Sequence, residues 1–61
     1  MDSQLLKYFK YDHLPQRLKL ISKPFCELAE QMSAELPANE EREMAIRKLL
    51  ESKDCAVRSV L

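Results

Sequence analysis

Residues 14–36, LPQRLKLISKPFCELAEQMSAEL, contain a regular pattern of large apolar side chains. The pattern advances in steps of three or four residues, at Leu14, Leu18, Ile21, Phe25, Leu28, Met32 and Leu36. Steps of that size place side chains on one face of an α-helix. We therefore predict one long helix whose apolar face packs along a neighbouring helix.

A proline lies inside this predicted helix. Pro24 has no backbone N–H to bond the carbonyl of Leu20, and its ring crowds that turn. Two interpretations remain: a single helix that is kinked at Pro24, or a break at Ser22 with Ser22 capping the second piece. Because the apolar pattern keeps its phase across the proline, we favour the kinked helix.

A short N-terminal helix is predicted before the long one. Leu5, Leu6 and Phe9 have helical spacing, which indicates a helix over residues 2–9. The sequence of the next segment, YDHLP, indicates a turn, since the residue before a proline favours an extended backbone conformation.

The proline of that turn suits the beginning of the long helix. Pro15 lacks an N–H, and the first turn of a helix leaves its N–H groups unbonded in any case. We expect Asp12 or His13 near the cap of this helix.

A last helix is predicted from about residue 40 to residue 60. Asn39 suits its N-cap, and Glu40, Glu41 and Glu43 place negative charge where the helix dipole favours it. The preceding Leu36-Pro37 pair ends the long helix without a glycine.

The apolar residues of the last helix form two adjacent rows. The first row is Ala45, Leu49, Ala56 and Val60, and the second is Ile46, Leu50, Val57 and Leu61. Two rows make a face that is wider than one partner helix covers, which indicates self-association. The predicted fold class is all-α: one domain over residues 1–61, with a short N-terminal helix and an antiparallel two-helix hairpin, assembled as a homo-oligomer.

Length and composition exclude several classes of function. The chain has 61 residues, no glycine, two cysteines and one histidine. Walker-type phosphate loops, dinucleotide fingerprints and EF-hands all need glycine, and the Cys and His count is too small for a zinc finger. No apolar run reaches the ~18 residues of a membrane span. We expect no metal, no cofactor and no membrane partner.

The chain also offers little for catalysis. His13 is the only imidazole, and it is explained by a cap or surface role; no serine or cysteine has a nearby base. Cys26 and Cys55 are interpreted as small packing residues, and two cysteines outside any framework favour a reducing cytosol. We therefore predict a binding protein without catalytic residues.

The net charge of zero conceals an uneven distribution. Residues 1–23 carry a charge of +3, residues 24–43 carry −5, and residues 44–61 carry +2. The acidic middle would be repelled by a nucleic acid duplex, so duplex binding is not expected. A small anion held where the two basic ends meet is compatible with this pattern.

Aromatic and basic residues alternate near the N-terminus, in the order Lys7, Tyr8, Phe9, Lys10 and Tyr11. Aromatic rings can stack on bases while lysines neutralise phosphates. The alternative is that Phe9 belongs to the core and that the tyrosines are packing residues.

Two further positions are candidate anion contacts. Lys23 lies beside Pro24, where a kink or break leaves unpaired backbone donors near a cation; the alternative is a solvent-facing lysine. Arg58, followed by Ser59, is the second. The other cations of the last helix are explained as surface charge, for example with Asp54 and Arg58 paired one turn apart.

Several short motifs occur together in a specific order. They are YDHLP at 11–15, SKPF at 22–25, Leu28-Ala29, Leu36-Pro37, Glu41-Arg42 and RKLLESKDCAVR at 47–58. Their order and spacing, over nearly the whole chain, resemble the bacteriophage anti-CBASS/anti-Thoeris cyclic-nucleotide sponges, the hairpin-domain proteins of the Acb/Tad group.

The resemblance implies an all-helical homohexamer, a trimer of dimers, that sequesters cyclic oligonucleotide second messengers without cleaving them. In that family cyclic dinucleotides lie between protomers, and some members hold cyclic trinucleotides on the three-fold axis or bind cyclic ADP-ribose isomers. By resemblance, Tyr11 stacks on a base before the turn leucine Leu14, Lys23 contacts phosphates, and Arg58 serves the three-fold pocket.

The resulting hypothesis is a phage sponge that blocks CBASS-type signalling in the cytoplasm of the infected host. Its partners are cyclic di- and trinucleotides and other copies of itself. The main alternative is a helical protein–protein adaptor without a nucleotide ligand. A phosphodiesterase-like enzyme and a small helical transcription factor fit less well, because the chain has no metal set, no base and no uniformly basic helix.

Overall fold

The computed structural model describes residues 3–61, and within that range the chain is helical with no strand. A short 3₁₀ helix spans Gln4–Phe9, and two long helices follow: α1 spans Gln16–Glu35 and α2 spans Glu40–Arg58. Only four residues separate α1 from α2, so the two helices fold back on each other as a hairpin. The all-α class and the two-helix hairpin are thereby confirmed.

The short N-terminal helix is confirmed, with a later start than predicted. It is a 3₁₀ helix that begins at Gln4, where a helix over residues 2–9 was expected, and residue 2 lies outside the described range. Ser3 is its N-cap, and the Ser3 hydroxyl accepts the N–H of Leu5 at 3.2 Å. The Phe9 side chain is completely buried, which confirms its interpretation as a core residue.

Helix α1 runs without interruption through Pro24, so the alternative of a break at Ser22 is wrong. Pro24 and Leu20 are both exposed. The carbonyl that the proline leaves unbonded therefore belongs to the solvent side of the helix, where water can bond it. The continuous helix keeps the residues on either side of the proline on one common face.

The beginning of α1 also differs from the expectation. Pro15 is the N-cap residue, and no side chain forms a cap hydrogen bond there. Asp12 and His13 therefore do not cap α1. The Pro15 carbonyl accepts the N–H of Lys19 at 2.9 Å, and this bond starts the helix.

The buried residues of α1 are small: Ser22, Ala29 and Ser33 form a small-residue seam, and Cys26 packs against the core between them. Of the predicted apolar face, Phe25 and Met32 also pack against the core, whereas Leu28 and Leu36 are exposed by 44% and 42%. The prediction that the large side chains form the helix contact is wrong for these two, because small side chains let the helices approach more closely.

The core contains one fully buried apolar residue from each element: Phe9 of the 3₁₀ helix, Ala29 of α1 and Ile46 of α2. Partly buried residues surround them, namely Leu5, Leu6, Phe25, Cys26, Met32, Leu49 and Leu50. A core of this size supplies little stability by itself. Polar contacts between the elements consequently matter more than in a larger domain.

The two apolar rows of α2 are only partly covered by the rest of the chain. Ile46 is buried, while Leu61 is 85% exposed and lies beyond the last helical residue. The other members are partly buried: Ala45, Leu49, Leu50, Ala56, Val57 and Val60. Helix α2 ends at Arg58, two residues before the predicted end.

The connection between α1 and α2 needs no glycine. Leu36 and Asn39 have extended backbones, and every residue from 3 to 61 has a negative φ. Asn39 caps α2 as predicted, since its Oδ1 accepts the N–H of Arg42 at 2.9 Å. The chain thus turns between the helices without the left-handed conformation for which glycine is preferred.

A buried polar network joins all three elements at this end of the hairpin. The Arg42 side chain, 6% exposed, donates from Nη1 to the Ser33 carbonyl at 3.1 Å and from Nε to Oε2 of Glu43 at 3.1 Å. Oε1 of Glu43 accepts the Ser3 hydroxyl at 2.7 Å, and the Ser3 N–H donates to the Ser33 hydroxyl at 3.4 Å. The guanidinium thereby satisfies a carbonyl in the last turn of α1, where the helix dipole favours a cation.

Substitution of the buried alanine in the small-residue seam should separate the helices. We expect Ala29→Leu to lower the free energy of unfolding by about 1–3 kcal/mol, the usual cost of overpacking. Ala34→Leu places the same side chain on the exposed face of the same helix and should change stability by less than about 0.5 kcal/mol. Urea denaturation of both variants measures the difference, and equal effects would contradict the seam.

The Glu43 carboxylate should make stability depend on pH. The Ser3 hydroxyl, and then Arg42, hold the pKa of Glu43 below its ordinary value of 4.5. The charged Glu43 carboxylate therefore stabilises the fold at pH values above its ordinary pKa of 4.5. This stabilisation is lost as the pH falls through the lowered pKa.

We expect Glu43→Gln to unfold at a lower urea concentration than the natural chain at pH 7, with the difference narrowing towards pH 3. Glu41→Gln, an exposed carboxylate in the same turn, is the control and should show no such convergence. A constant difference at all pH values would assign the loss to packing alone.

Candidate functional site

A cleft of about 290 Å³ lies between the 3₁₀ helix, the turn that follows it, the middle of α1 and the end of α2. Four of its lining residues are cations, Lys7, Lys10, Lys53 and Arg58, and one, Asp54, is a carboxylate. Tyr8, Leu14 and Val57 add aromatic and apolar surface, and His13 and Ser22 complete the lining. We call this the basic cleft.

Lys53 holds the wall of the basic cleft together. Its Nζ donates to the Tyr8 carbonyl at 3.0 Å and forms an ion pair with Oδ1 of Asp54 at 2.9 Å. The Lys53 side chain is only 14% exposed. Lys53 of α2 therefore binds the end of the 3₁₀ helix. This contact places Lys7 and Lys10, the cations on either side of Tyr8, beside α2.

The remaining cations lie at the rim. The Lys7 ammonium lies 5.2 Å from the centre of the Tyr8 ring, a cation–π distance. Lys10 and Arg58 are exposed, and Nη2 of Arg58 donates to the Cys55 sulfur at 3.3 Å. Because Asp54, the one carboxylate among the described lining residues, is paired with Lys53, the lining has an excess of positive charge, which favours anions.

Ser22 is a lining residue whose polar group is buried and has no partner among the described residues. The residue is 1% exposed, and its Oγ has no hydrogen-bond partner within residues 3–61. A buried hydroxyl without a partner is uncommon and costs free energy. Its location in the lining of a positively charged cleft places a spare hydrogen-bond donor next to an anion-attracting surface.

The residues predicted from the sequence fall into two groups. Leu14 and Arg58 both line the basic cleft. Tyr11 is half-buried outside the lining, and its carbonyl accepts the N–H of Leu14 at 3.0 Å, which closes the turn. Lys23 is exposed on α1 and also lies outside the lining. A single chain therefore brings Leu14 and Arg58 together but leaves Tyr11 and Lys23 elsewhere.

Sequence reasoning missed three contributors to the cleft and mispaired a fourth. Ser22 was considered only as a helix cap, Lys53 as surface charge and His13 as a cap or surface residue. The expected pair of Asp54 with Arg58 is wrong, because Asp54 pairs with Lys53. No local signal identifies these residues, since Lys53 meets Tyr8 across 45 positions of sequence.

The cysteines do not add chemistry to the cleft lining. Both are free; Cys26 is half-buried and Cys55 is exposed, so the packing interpretation does not apply to Cys55. Burial, and then the charges of Glu30, Asp12 and Glu27, raise the pKa of the Cys26 thiol above its ordinary value. Cys26 is therefore a thiol, and a poor nucleophile, at neutral pH.

A wider groove of about 700 Å³ lies beside the start of α2. It is lined by Ala38, Asn39, Glu40, Arg42, Glu43, Met44 and Arg47. Two carboxylates balance its two guanidiniums; Arg42 already bonds Glu43 and the Ser33 carbonyl, and Glu43 accepts the Ser3 hydroxyl. The smaller basic cleft, with its excess of positive charge, is consequently the better candidate for a binding site.

Comparison with known proteins leaves the chain without a match: no protein-family model, no curated protein and no solved structure matches it. In the described range, neither long helix is apolar enough over its length to cross a membrane. Residues 3–61 also contain no group of three or more His, Cys, Asp or Glu side chains placed to hold a metal ion.

Loss of Lys53 should loosen the wall of the basic cleft. We expect Lys53→Met to lower the free energy of unfolding by about 0.5–1.5 kcal/mol, the net value of one intramolecular hydrogen bond. Amide hydrogen exchange in the 3₁₀ helix should also become faster, because its end is released from α2. Lys48→Met, an exposed lysine on the same helix, should do neither; similar behaviour of the two variants would remove the structural role of Lys53.

Proposed function

We propose that this protein is a phage sponge that binds cyclic oligonucleotide second messengers and holds them intact, so that CBASS-type signalling is blocked. The sequence resemblance supports this function. The observation that carries it in the structure is the basic cleft, whose four cations surround a lining that includes the Tyr8 ring. Cations beside an aromatic ring are the combination that phosphates and bases require.

The size of the cleft supports a ligand shared between copies of the chain. At about 290 Å³ it lies at the lower limit of pockets that enclose drug-sized ligands, which begin at about 300 Å³. A cyclic dinucleotide contains two bases and two phosphates. We infer that one chain contacts part of such a ligand and that a second protomer contacts the rest.

Assembly into a homohexamer, a trimer of dimers, is part of this proposal. Large apolar side chains are exposed on the single chain, among them Leu20 by 64%, Met44 by 47% and Leu28 by 44%. Their burial between protomers would add to the small core. It would also bring together copies of Tyr11 and Lys23, which the single chain leaves outside the basic cleft.

The proposal assigns different residues to different ligands. Tyr11 stacks on a base and Lys23 contacts phosphate for a cyclic dinucleotide, with Leu14 packing beside the base. Arg58 serves cyclic trinucleotides where three copies meet.

The same exposed apolar residues favour a second candidate, a helical protein–protein adaptor. In that case the apolar side chains bind another protein and the basic cleft has no nucleotide ligand. The adaptor predicts a monomer or dimer in solution and no response to any cyclic nucleotide.

Titration calorimetry with cyclic di- and trinucleotides and cyclic ADP-ribose isomers, combined with light scattering, tests the proposal. We expect Tyr11→Ala to weaken dinucleotide binding by about 1–3 kcal/mol per stacked base, and Lys23→Ala by about 1.5–3 kcal/mol per charged hydrogen bond lost. Arg58→Ala should affect trinucleotide binding instead. All variants should remain assembled.

The control variant is Lys48→Ala, which removes an exposed cation to which the proposal assigns no contact with a ligand. Denaturation of the loaded protein should release the cyclic ligand unchanged, as judged by its chromatographic mobility. Linear products would indicate an enzyme, and the absence of binding to every nucleotide in the panel would favour the adaptor.

A further inference from the structure

We propose that the basic cleft of a single chain is a seat for a phosphoryl group, with the Ser22 hydroxyl as a hydrogen-bond donor to one of its oxygens. This inference goes beyond the sponge function. It requires no second protomer, and it involves neither Tyr11 nor Lys23. It also holds for a small phosphate ester as well as for the phosphate of a larger ligand.

The first step of the argument is the isolation of the Ser22 hydroxyl. A serine inside a helix commonly bonds the carbonyl of the preceding turn, but Ser22 Oγ bonds nothing within the described chain although the residue is 1% exposed. Alanine would fill the same position in the small-residue seam without burying a polar atom. Because Ser22 Oγ is buried, a ligand oxygen reaches it only when the side chains that cover it move aside; the ligand then gives the hydroxyl the partner that the fold does not supply.

The second step is the convergence of cations from separate elements. Lys7 and Lys10 come from the N-terminal segment and Arg58 from α2, while Ser22 comes from α1. These groups reach the cleft from different sides. A tetrahedral phosphoryl group presents several anionic oxygens in different directions, so it can bond more of these donors than a planar carboxylate can.

The third step is the question of which charged side chains in the cleft lining already have a partner in the fold. Lys53 is engaged by the Tyr8 carbonyl and by Asp54, so it shapes the cleft and neutralises the only carboxylate in the lining. Lys10 has no such structural contact among the bonds of the described residues and is exposed at the rim. Lys10 is therefore available to an incoming anion.

A seat of this kind makes a distinctive prediction about Ser22. When the cleft is empty, the buried hydroxyl destabilises the fold; when a phosphoryl group is bound, the same hydroxyl strengthens binding. Ser22→Ala should therefore raise the Tm of the phosphate-free protein and weaken phosphate binding. A serine whose hydroxyl bonds another group of the protein behaves differently. Its replacement by alanine removes that hydrogen bond and lowers the Tm.

The experiment measures thermal unfolding of the full chain in chloride buffer, with increasing inorganic phosphate at constant ionic strength. Binding to the folded state raises the Tm by an amount that grows with the logarithm of one plus the ratio of phosphate concentration to dissociation constant. We expect Ser22→Ala to begin from a higher Tm and to need about tenfold more phosphate for the same increment. Ser52→Ala, an exposed serine on α2, should match the natural chain in both respects.

A charge-reversal substitution and an NMR titration of the backbone amides locate the seat. Lys10→Glu should abolish the phosphate-induced increment, and Lys48→Glu, which makes the same charge change outside the cleft, should retain it. In NMR titrations with phosphate, the amide signals of Lys10, Ser22 and Arg58 should move together with one dissociation constant. That constant should not vary with protein concentration, because the seat belongs to one chain.

Four results would overturn the inference. They are a lower Tm for Ser22→Ala in phosphate-free buffer, an unchanged phosphate response in that variant, an equal response in Lys10→Glu and Lys48→Glu, and a dissociation constant that depends on protein concentration. Parallel titrations with a 5′-mononucleotide and a cyclic dinucleotide separate this inference from the sponge function. Binding of phosphate and the mononucleotide without tight binding of the cyclic ligand would support the seat and reject the sponge.

Discussion

The buried guanidinium of Arg42 is the contact on which the rest of the structure depends. It satisfies the Ser33 carbonyl at the end of α1 and bonds Glu43, which in turn accepts the Ser3 hydroxyl. Among residues 3–61 the fully buried apolar core comprises Phe9, Ala29 and Ile46, so this network adds polar contacts between the elements to a small core. It also aligns the N-terminal segment with α2, since Ser3 lies at Glu43.

That alignment creates the basic cleft at the far end of α2. With Ser3 held at Glu43, the Tyr8 carbonyl reaches Lys53, and the lysines around Tyr8 come to lie beside Arg58. Glu43, at the acidic start of α2, thus contributes to the contacts that hold the fold. Cations from the two basic ends of the chain line the cleft. A chain with no net charge can in this way present a positive surface, because like charges that are distant in sequence are gathered at one place.

The helices could be predicted closely, but the face that α1 buries could be predicted only in part, since Phe25 and Met32 do pack against the core. The extent of α2 and its Asn39 cap depend on residues a few positions apart, and the structure agrees with both within two residues. The apolar periodicity of α1 indicated Leu28 and Leu36 as contact residues, yet the small residues Ala29 and Ser33 are buried instead. Periodicity identifies a helix and its faces; how closely two helices approach depends on side-chain size across the contact.

The candidate site, like the fold, could be predicted from the sequence only where it depends on residues close together in the chain. The sequence by itself determined that the chain is helical, that Asn39 caps its last helix, and that its cations lie towards its two ends, because hydrogen bonds within helices, caps and charge runs are local. Only the tertiary structure decided that Lys53 meets the Tyr8 carbonyl, that Asp54 pairs with Lys53, and that Ser22 lines a positively charged cleft. Those contacts join residues far apart in the chain, and they form only once the small-residue seam and the Arg42 network have set the helices against each other.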